Sequence, residues 1–325
     1  MKVLLLNPKP DLERAGNTVT ARRWADHLRS LGHEVEVDET YGGRPCDLLV
    51  ALHARRSAGA VRRYRERHPR GLLVVALTGT DLYRDLASSA EARASVERAD
   101  RLVVLQERAP FRLPAAVRDR VRVIHQSARP PGGDHPPRED VFEVCLLAHM
   151  RPVKDPFLAA RALRRLPSDS RIRLVHAGRP LEPGAAERAR ALGDELDRYR
   201  WVGELPREEA LELLARSRLL VLTSRVEGGA NVVTEALACD TPVVSTRNEG
   251  SVGLLGEDYP GLVPVGDADA LARLLRRLET DPELYGELRE RCRARRDLAD
   301  PDRERAAWAR LLGELVAGGR DAPGP

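Results

Sequence analysis

Glu227–Ala236, EGGANVVTEA, follows a short apolar run, Leu219–Leu222, and opens a helix-compatible run, Asn231–Ala238. The apolar run is rich enough in Leu and Val to be a strand buried on both faces of a parallel sheet. The order is therefore strand, loop with an acid, glycine pair, helix with a second acid. Such an order leaves bare backbone N–H groups at a helix start, where they attract anionic oxygens. Glycines let a ligand approach the backbone closely. Asn231 and Glu235 are four residues apart and share a helix face. The arrangement suits a ligand carrying both phosphates and hydroxyls, such as a nucleotide sugar. The plainer alternative is a solvated Glu235 and a Gly-Gly turn.

Outward from this stretch the chain alternates strand and helix patterns. Before it, Val3–Leu6, Val35–Val37, Asp47–Leu52, Leu72–Leu77, Leu102–Leu105 and Val121–Ile124 read as strands. Helical patterns over Thr18–Leu31, Ala58–His68 and Glu91–Ala99 separate several of them. This βα alternation means parallel sheets with helices on both faces. Arg129–Pro137 is rich in Pro and Gly, has no periodicity and reads as a linker. The alternation then restarts with Phe142–Leu147 and runs through Arg207–Arg216, Leu219–Leu222 and Pro242–Ser245 to helices over Asp267–Glu279, Pro282–Arg296 and Arg303–Val316.

With 325 residues, two cores are expected rather than one. The expected fold class is α/β, with two doubly wound Rossmann-like domains, 1–135 and 136–300. Residues 301–325 form a final helix with a disordered tail. Ligands of such sheets bind at the carboxyl ends of the strands, so the loops after strands carry the message and a ligand is expected in a cleft faced by both domains.

Composition narrows the function. Aromatic residues make up only 4% and no basic stripe interleaves with them, so nucleic acid is not an expected partner. Lys+Arg number 54 against 50 Asp+Glu, spread along helices as a solvated surface. Cys46, Cys145, Cys239 and Cys292 stand far apart, without zinc or disulfide spacing. They read as buried thiols of a reducing compartment. Neither a leader nor a membrane-spanning apolar run is apparent. The expectation is a cytoplasmic protein without membrane partners. No G-x-G-x-x-G, G-x-S-x-G or H-E-x-x-H is present. Asp267-Ala-Asp269 matches a D-x-D metal pattern formally, yet its place before a helix makes capping the better reading.

A second motif follows the first strand of the second half: His149-Met-Arg151-Pro-Val-Lys154-Asp-Pro. Arg forks onto two phosphate oxygens, and Lys acts as a point charge. Lys154 is one of only three lysines, with Lys2 and Lys9. The R-x-x-K loop followed by E-x7-E resembles the second domain of retaining nucleotide-sugar glycosyltransferases of the GT-B fold, and the likeness spans nearly the whole chain. In that family the Arg and Lys bind the donor diphosphate, the first Glu lies beside the sugar, and the second binds the ribose. The resemblance implies that Arg151, Lys154 and Glu227 act in catalysis. It implies donor contacts from these three together with Gly228, Gly229, Ala230, Asn231 and Glu235. Many members carry Phe-Gly after the first Glu, where this chain has Gly-Gly-Ala-Asn. The last helix often crosses back to the first domain, and Trp308 is placed to anchor it. Neither a metal nor a cofactor is required, since Arg and Lys neutralise the charge.

The first half is less explicit. Ala15-Gly16-Asn17-Thr18 lies at a helix start and can cap it or bind an anion. Leu52–Ser57, with His53, Arg55 and Arg56, follows the third strand. Thr78–Arg84, with Thr78, Gly79 and Thr80, follows the fourth. Many family members carry His-Gly where Thr78-Gly79 stands, so reliance on a histidine there is not supported. His125-Gln126-Ser127 ends the sixth strand. Together with GLLGEDYPG (253–261), these segments resemble one branch, the selenosugar synthases of selenoneine biosynthesis. There the sugar of a UDP-sugar, UDP-GlcNAc or UDP-glucose, is joined to selenium from selenophosphate. A selenophosphate synthetase and a selenoneine-forming enzyme are the implied pathway partners. Charge and position, rather than a family motif, make Gly16, Asn17, Thr18, His53, Arg55, Arg56, Thr78, Gly79 and Thr80 the candidate acceptor site. Two other readings stay open: a retaining transferase with a hydroxyl acceptor, and a nucleotide-sugar-binding protein without turnover.

Overall fold

A computed structural model describes residues 1–8 and 16–320. Ala15 and most of the loop expected over Asn7–Gly16 lie outside the described residues, as do residues 321–325 of the stretch 301–325 expected to end in a tail.

The chain divides into two compact units, 1–126 with 301–325, and 127–300. In the first unit, Lys2–Leu6 (β1), Glu34–Asp38 (β2), Leu48–Leu52 (β3), Leu72–Ala76 (β4), Arg101–Val104 (β5) and Val121–Val123 (β6) form a six-stranded sheet of order β2-β1-β3-β4-β5-β6. The second unit holds Phe142–Leu147 (β7), Ile172–Ala177 (β8), Tyr199–Trp201 (β9), Leu219–Leu222 (β10), Val243–Thr246 (β11) and Leu262–Val263 (β12). Its order is β12-β11-β10-β7-β8-β9. Every pairing in both sheets is parallel. Each unit thus has the α/β, doubly wound architecture read from the sequence.

Strand order fixes where a ligand goes. In the first unit the chain leaves β1 toward β2, then returns to place β3 on the other side. In the second it leaves β7 toward β8, then returns to place β10 on the other side. The reversals open a crevice between β1 and β3 and between β7 and β10, at the carboxyl ends. The β7–β10 register, Leu219 against Val144 and Leu220 against Cys145, brings the loops that begin at Ala148 and Thr223 side by side. In β1 the side chains alternate between two cores: Leu4 and Leu6 on one face, Val3 and Leu5 on the other.

The first unit ends at Gln126, nine residues before the expected limit at 135. The Pro/Gly-rich run is irregular, but Ala128 is already held by the second unit. Its N–H donates to the Ala299 carbonyl at 3.0 Å, and its side chain joins the second core. Glu249–Leu255 is a helix to which the sequence reading assigned no element, because its two glycines conceal it. Asp81–Asp85 is a π-turn where the sequence reads as loop.

The last helix, Pro301–Arg320, belongs to the first unit. Trp308, Leu311, Leu312 and Leu315 pack with Trp24 and Leu28, and the two indoles meet edge-on at 4.9 Å. Glu304, almost fully buried, ties the helices together. Its carboxylate accepts from Trp24 Nε1 at 2.7 Å and Arg23 Nε at 2.8 Å, with His27 Nε2 at 3.3 Å. Glu304→Ala strips these donors of a buried anionic acceptor, so a stability loss of about 3 kcal/mol is expected. Urea unfolding followed by tryptophan fluorescence measures it. A loss below about 1 kcal/mol would assign the docking to apolar packing alone.

Candidate functional site

The second unit assembles its candidate residues at the β7–β10 crevice. The loop after β7 is a tight turn: Lys154 N donates to Arg151 O at 2.9 Å. It is strapped to the loop after β10 by two hydrogen bonds. Arg225 N donates to Val153 O at 2.8 Å, and Thr223 Oγ1 to Lys154 O at 2.9 Å. Asp155 has φ of 38°, a conformation unfavourable for a non-glycine residue. Its carboxylate pairs with Arg225 Nη2 at 2.9 Å and Arg161 Nη2 at 3.4 Å, which holds the turn.

These straps set the central contact. Lys154 Nζ and Glu227 Oε1 meet at 2.5 Å, with side-chain exposures of 24% and 9%. Arg151, in the same turn as Lys154, is half-buried, and its Nε is buried without a partner. The site therefore holds one matched ion pair and a further cation. The helix Asn231–Ala238 follows Ala230, whose side chain offers no cap. Gly228 and Ala230 are buried, while Gly229 and Asn231 are half-buried. On the second turn, Glu235 Oε1 meets Arg207 Nη1 at 2.8 Å. Arg207, the first residue of Arg207–Arg216, is a partner that sequence reading missed.

The helix concealed by its glycines closes one side of this site. Asn248 caps it by accepting from Ser251 N at 3.0 Å. A Cβ on Gly250 would lie 2.4 Å from the Glu227 carbonyl oxygen. Only glycine lets this helix reach the backbone of Glu227. Likewise, a Cβ on Gly178, after β8, would lie 1.9 Å from the Ala148 carbonyl oxygen. Below that point His176 Nε2 sits 2.9 Å from Ala148 O, and Nδ1 sits 2.9 Å from Tyr199 Oη. The carbonyl accepts from Nε2–H, so Nδ1 accepts from the tyrosine and the ring is neutral.

In the first unit, the loops after β3 and β4 are joined by a carboxylate that the sequence did not single out. Asp81 is fully buried and accepts from Ala54 N at 2.9 Å, Thr78 N at 3.0 Å and Gly79 N at 2.8 Å. His53 is buried with φ of 67°. Its Nδ1 accepts from Arg56 N at 3.4 Å, and its Nε2 lies 3.2 Å from Thr80 Oγ1. Burial holds its pKa below the usual histidine value, against the pull of the Asp81 charge. Arg55 Nη1 pairs with Asp85 Oδ1 at 3.2 Å, and Arg56 is exposed. So His53, Arg55, Thr78, Gly79 and Thr80 are brought together. Gly16–Thr18 start the helix Gly16–Ser30 after β1. Thr18 is buried and its Oγ1 accepts from Asn7 Nδ2 at 3.0 Å, so it ties this helix to the residue that follows β1.

The formal metal pattern resolves into other contacts. Asp267 caps Ala268–Thr280 by accepting from Ala270 N at 2.8 Å, and Asp269 pairs with Arg165. Among the described residues, no helix is long and apolar enough to cross a membrane.

Residues 133–295, half of the chain, match the family model of glycosyl transferases group 1. The chain belongs to this family. This group 1 glycosyl transferase is 34% identical over 158 residues to a D-inositol 3-phosphate glycosyltransferase of Kribbella flavida, covering 45% of the chain and 37% of that relative. It is 35% identical over 98 residues to an N-acetyl-alpha-D-glucosaminyl L-malate synthase of Bacillus anthracis, covering 30% of the chain and 25% of that relative. The chain thus spans well under half the length of these curated relatives. Among solved structures, a sucrose-phosphate synthase from Thermosynechococcus elongatus superposes with a TM-score of 0.78 at 18% identity, covering 98% of this chain and all of that one. Anabaena HepE in complex with UDP-glucose superposes with a TM-score of 0.75 at 17% identity, covering 97% of this chain and 100% of that one. At these identities the likeness establishes the GT-B-like fold and no more.

His176 makes stability at this site depend on pH. Burial lowers its pKa from 6.5 to about 4. The folded protein keeps the ring neutral while the unfolded chain takes up a proton below 6.5. The stabilisation is therefore complete above 6.5 and is lost as pH falls toward 4, by about 3 kcal/mol in all. Urea unfolding at about pH 7 and about pH 4.5 should show a larger acid loss for the native chain than for His176→Gln. Equal losses would show that His176 is not held neutral.

Proposed function

We propose that this chain binds a UDP-sugar at the β7–β10 crevice and transfers the sugar to selenium from selenophosphate, giving a 1-selenosugar. The observation that carries the donor half is the Lys154–Glu227 pair at 2.5 Å, with Arg151 in the same turn as Lys154 and a helix start at which Ala230 offers no side-chain cap. A diphosphate there meets Lys154, Arg151 and helix amides. Glu227 then accepts from sugar hydroxyls and Glu235 from the ribose, with Gly228, Gly229, Ala230 and Asn231 lining the approach. As UDP leaves, its growing negative charge meets cations already in place, and the sugar passes through an oxocarbenium-like transition state. No metal is needed in this reading, because Arg and Lys supply the positive charge.

The selenium half rests on the motif set that resembles the selenosugar synthases. In this reading the anionic selenium attacks the sugar, a C–Se bond forms as the C–O bond to UDP breaks, and water cleaves the P–Se bond to release phosphate. An already anionic nucleophile needs little help from a base. That agrees with a first unit whose His53 is engaged with Thr80. Arg55, Arg56 and the Gly16–Thr18 helix start, with Thr78 and Gly79, would receive the small anion. Selenophosphate synthetase supplies it, and a selenoneine-forming enzyme consumes the product. The free cysteines fit a reducing cytoplasm. A hydroxyl acceptor is the second reading, favoured by the names of the relatives, which use inositol phosphate and malate.

Purified protein incubated with UDP-GlcNAc or UDP-glucose decides between them. UDP release that depends on selenophosphate is the expected result. Release only with a hydroxyl acceptor would overturn the selenium half, and UDP-sugar binding without release would leave a non-catalytic binder. Lys154→Ala should slow turnover by at least ~100-fold, as for a lost transition-state charge contact. Near-native turnover would remove Lys154 from the site.

A further inference from the structure

Glu235 does not stand alone. It lies on the second turn of Asn231–Ala238, after β10, and Arg207 opens Arg207–Arg216, after β9. These strands lie on opposite sides of β7 in the sheet, yet the side chains meet at 2.8 Å with exposures of 12% for Glu235 and 45% for Arg207. An ion pair this open adds little to folding stability. Its effect is local: it fixes the direction of the carboxylate and offsets its charge.

We propose that Arg207 is a positioning residue that sets the preference of this site for a ribonucleotide. The inference rests on the reading that Glu235 meets the ribose. A carboxylate has about four acceptor positions, so pairing with one cation leaves room for sugar hydroxyls. Unpaired, Glu235 would rotate freely about its side-chain bonds. Paired with Arg207, its carboxylate is held in one direction. A 2′-hydroxyl then meets an oriented anionic acceptor, and a 2′-deoxyribose leaves that acceptor unmatched. Arg207 acts through Glu235. The diphosphate contacts proposed for Arg151 and Lys154 belong to another loop, the turn after β7, and are untouched by this pairing.

Calorimetric titration of the full chain with UDP and with 2′-deoxy-UDP tests it. The native protein should bind UDP about tenfold more tightly than 2′-deoxy-UDP, as for hydrogen bonds to a charged group. Arg207→Ala should weaken UDP binding and bring the two ligands within about threefold of each other, with little change in 2′-deoxy-UDP affinity. Arg207→Lys, which keeps the charge, should restore most of the preference. A purely structural role would shift both ligands equally. An unchanged UDP preference in Arg207→Ala, or tighter UDP binding, would overturn the proposal while leaving the donor site standing. Native protein that binds UDP and 2′-deoxy-UDP equally would instead refute the ribose role of Glu235, and no UDP binding would refute the donor reading itself.

Discussion

The Lys154–Glu227 contact is the constraint that the second unit is built to hold. A lysine and a glutamate 73 residues apart meet only because strand order places β10 beside β7. The turn after β7 must then point Lys154 toward the loop after β10, and Asp155 accepts an unfavourable backbone angle to do so. The straps from Thr223 and Arg225 stop the two loops from sliding. Such pairing of partly buried charges is poor evidence for stability, since desolvation offsets most of the attraction. It is better understood as pre-orientation of charge at a crevice where the fold already collects ligands.

Close approach is the second constraint. Gly250 and Gly178 have no room for a side chain, each because a neighbouring carbonyl lies where the Cβ would be. The helix Glu249–Leu255 carries a glycine at 250 for this reason. Its buried small residues and its Asn248 cap replace what the sequence withholds. The first unit solves a similar problem with charge. Asp81 gathers three backbone N–H groups from two loops, so the segments after β3 and β4 form one surface.

Much of this was legible because parallel strands buried on both faces are continuous apolar runs. Leu219–Leu222, Phe142–Leu147 and Asn231–Ala238 coincide with their expected limits. Arg151, Lys154 and Glu227 were readable for the same reason, each lying in a loop just after a strand, and Glu235 through its spacing from Glu227. What escaped was long-range or counter to propensity. Arg207 is one of 54 basic residues, and nothing local ties it to Glu235. The buried role of Asp81 and the left-handed backbone of His53 depend on a neighbouring loop. The unit boundary moved to Gln126 because Ala128 is pinned by Ala299, a contact across more than 150 residues that no composition shift announces. The opening motif remains the most informative stretch, but its second acid acts as half of a pair.

In the proposed donor site the cations after β7 hold a diphosphate. Calorimetric titrations of the full chain with UDP and with uridine test this. If Arg151, Lys154 and the helix start bind the diphosphate, UDP should bind at least about 100-fold more tightly than uridine, and the difference should shrink as salt is raised. Equal affinities for the two, or no binding of UDP, would contradict it.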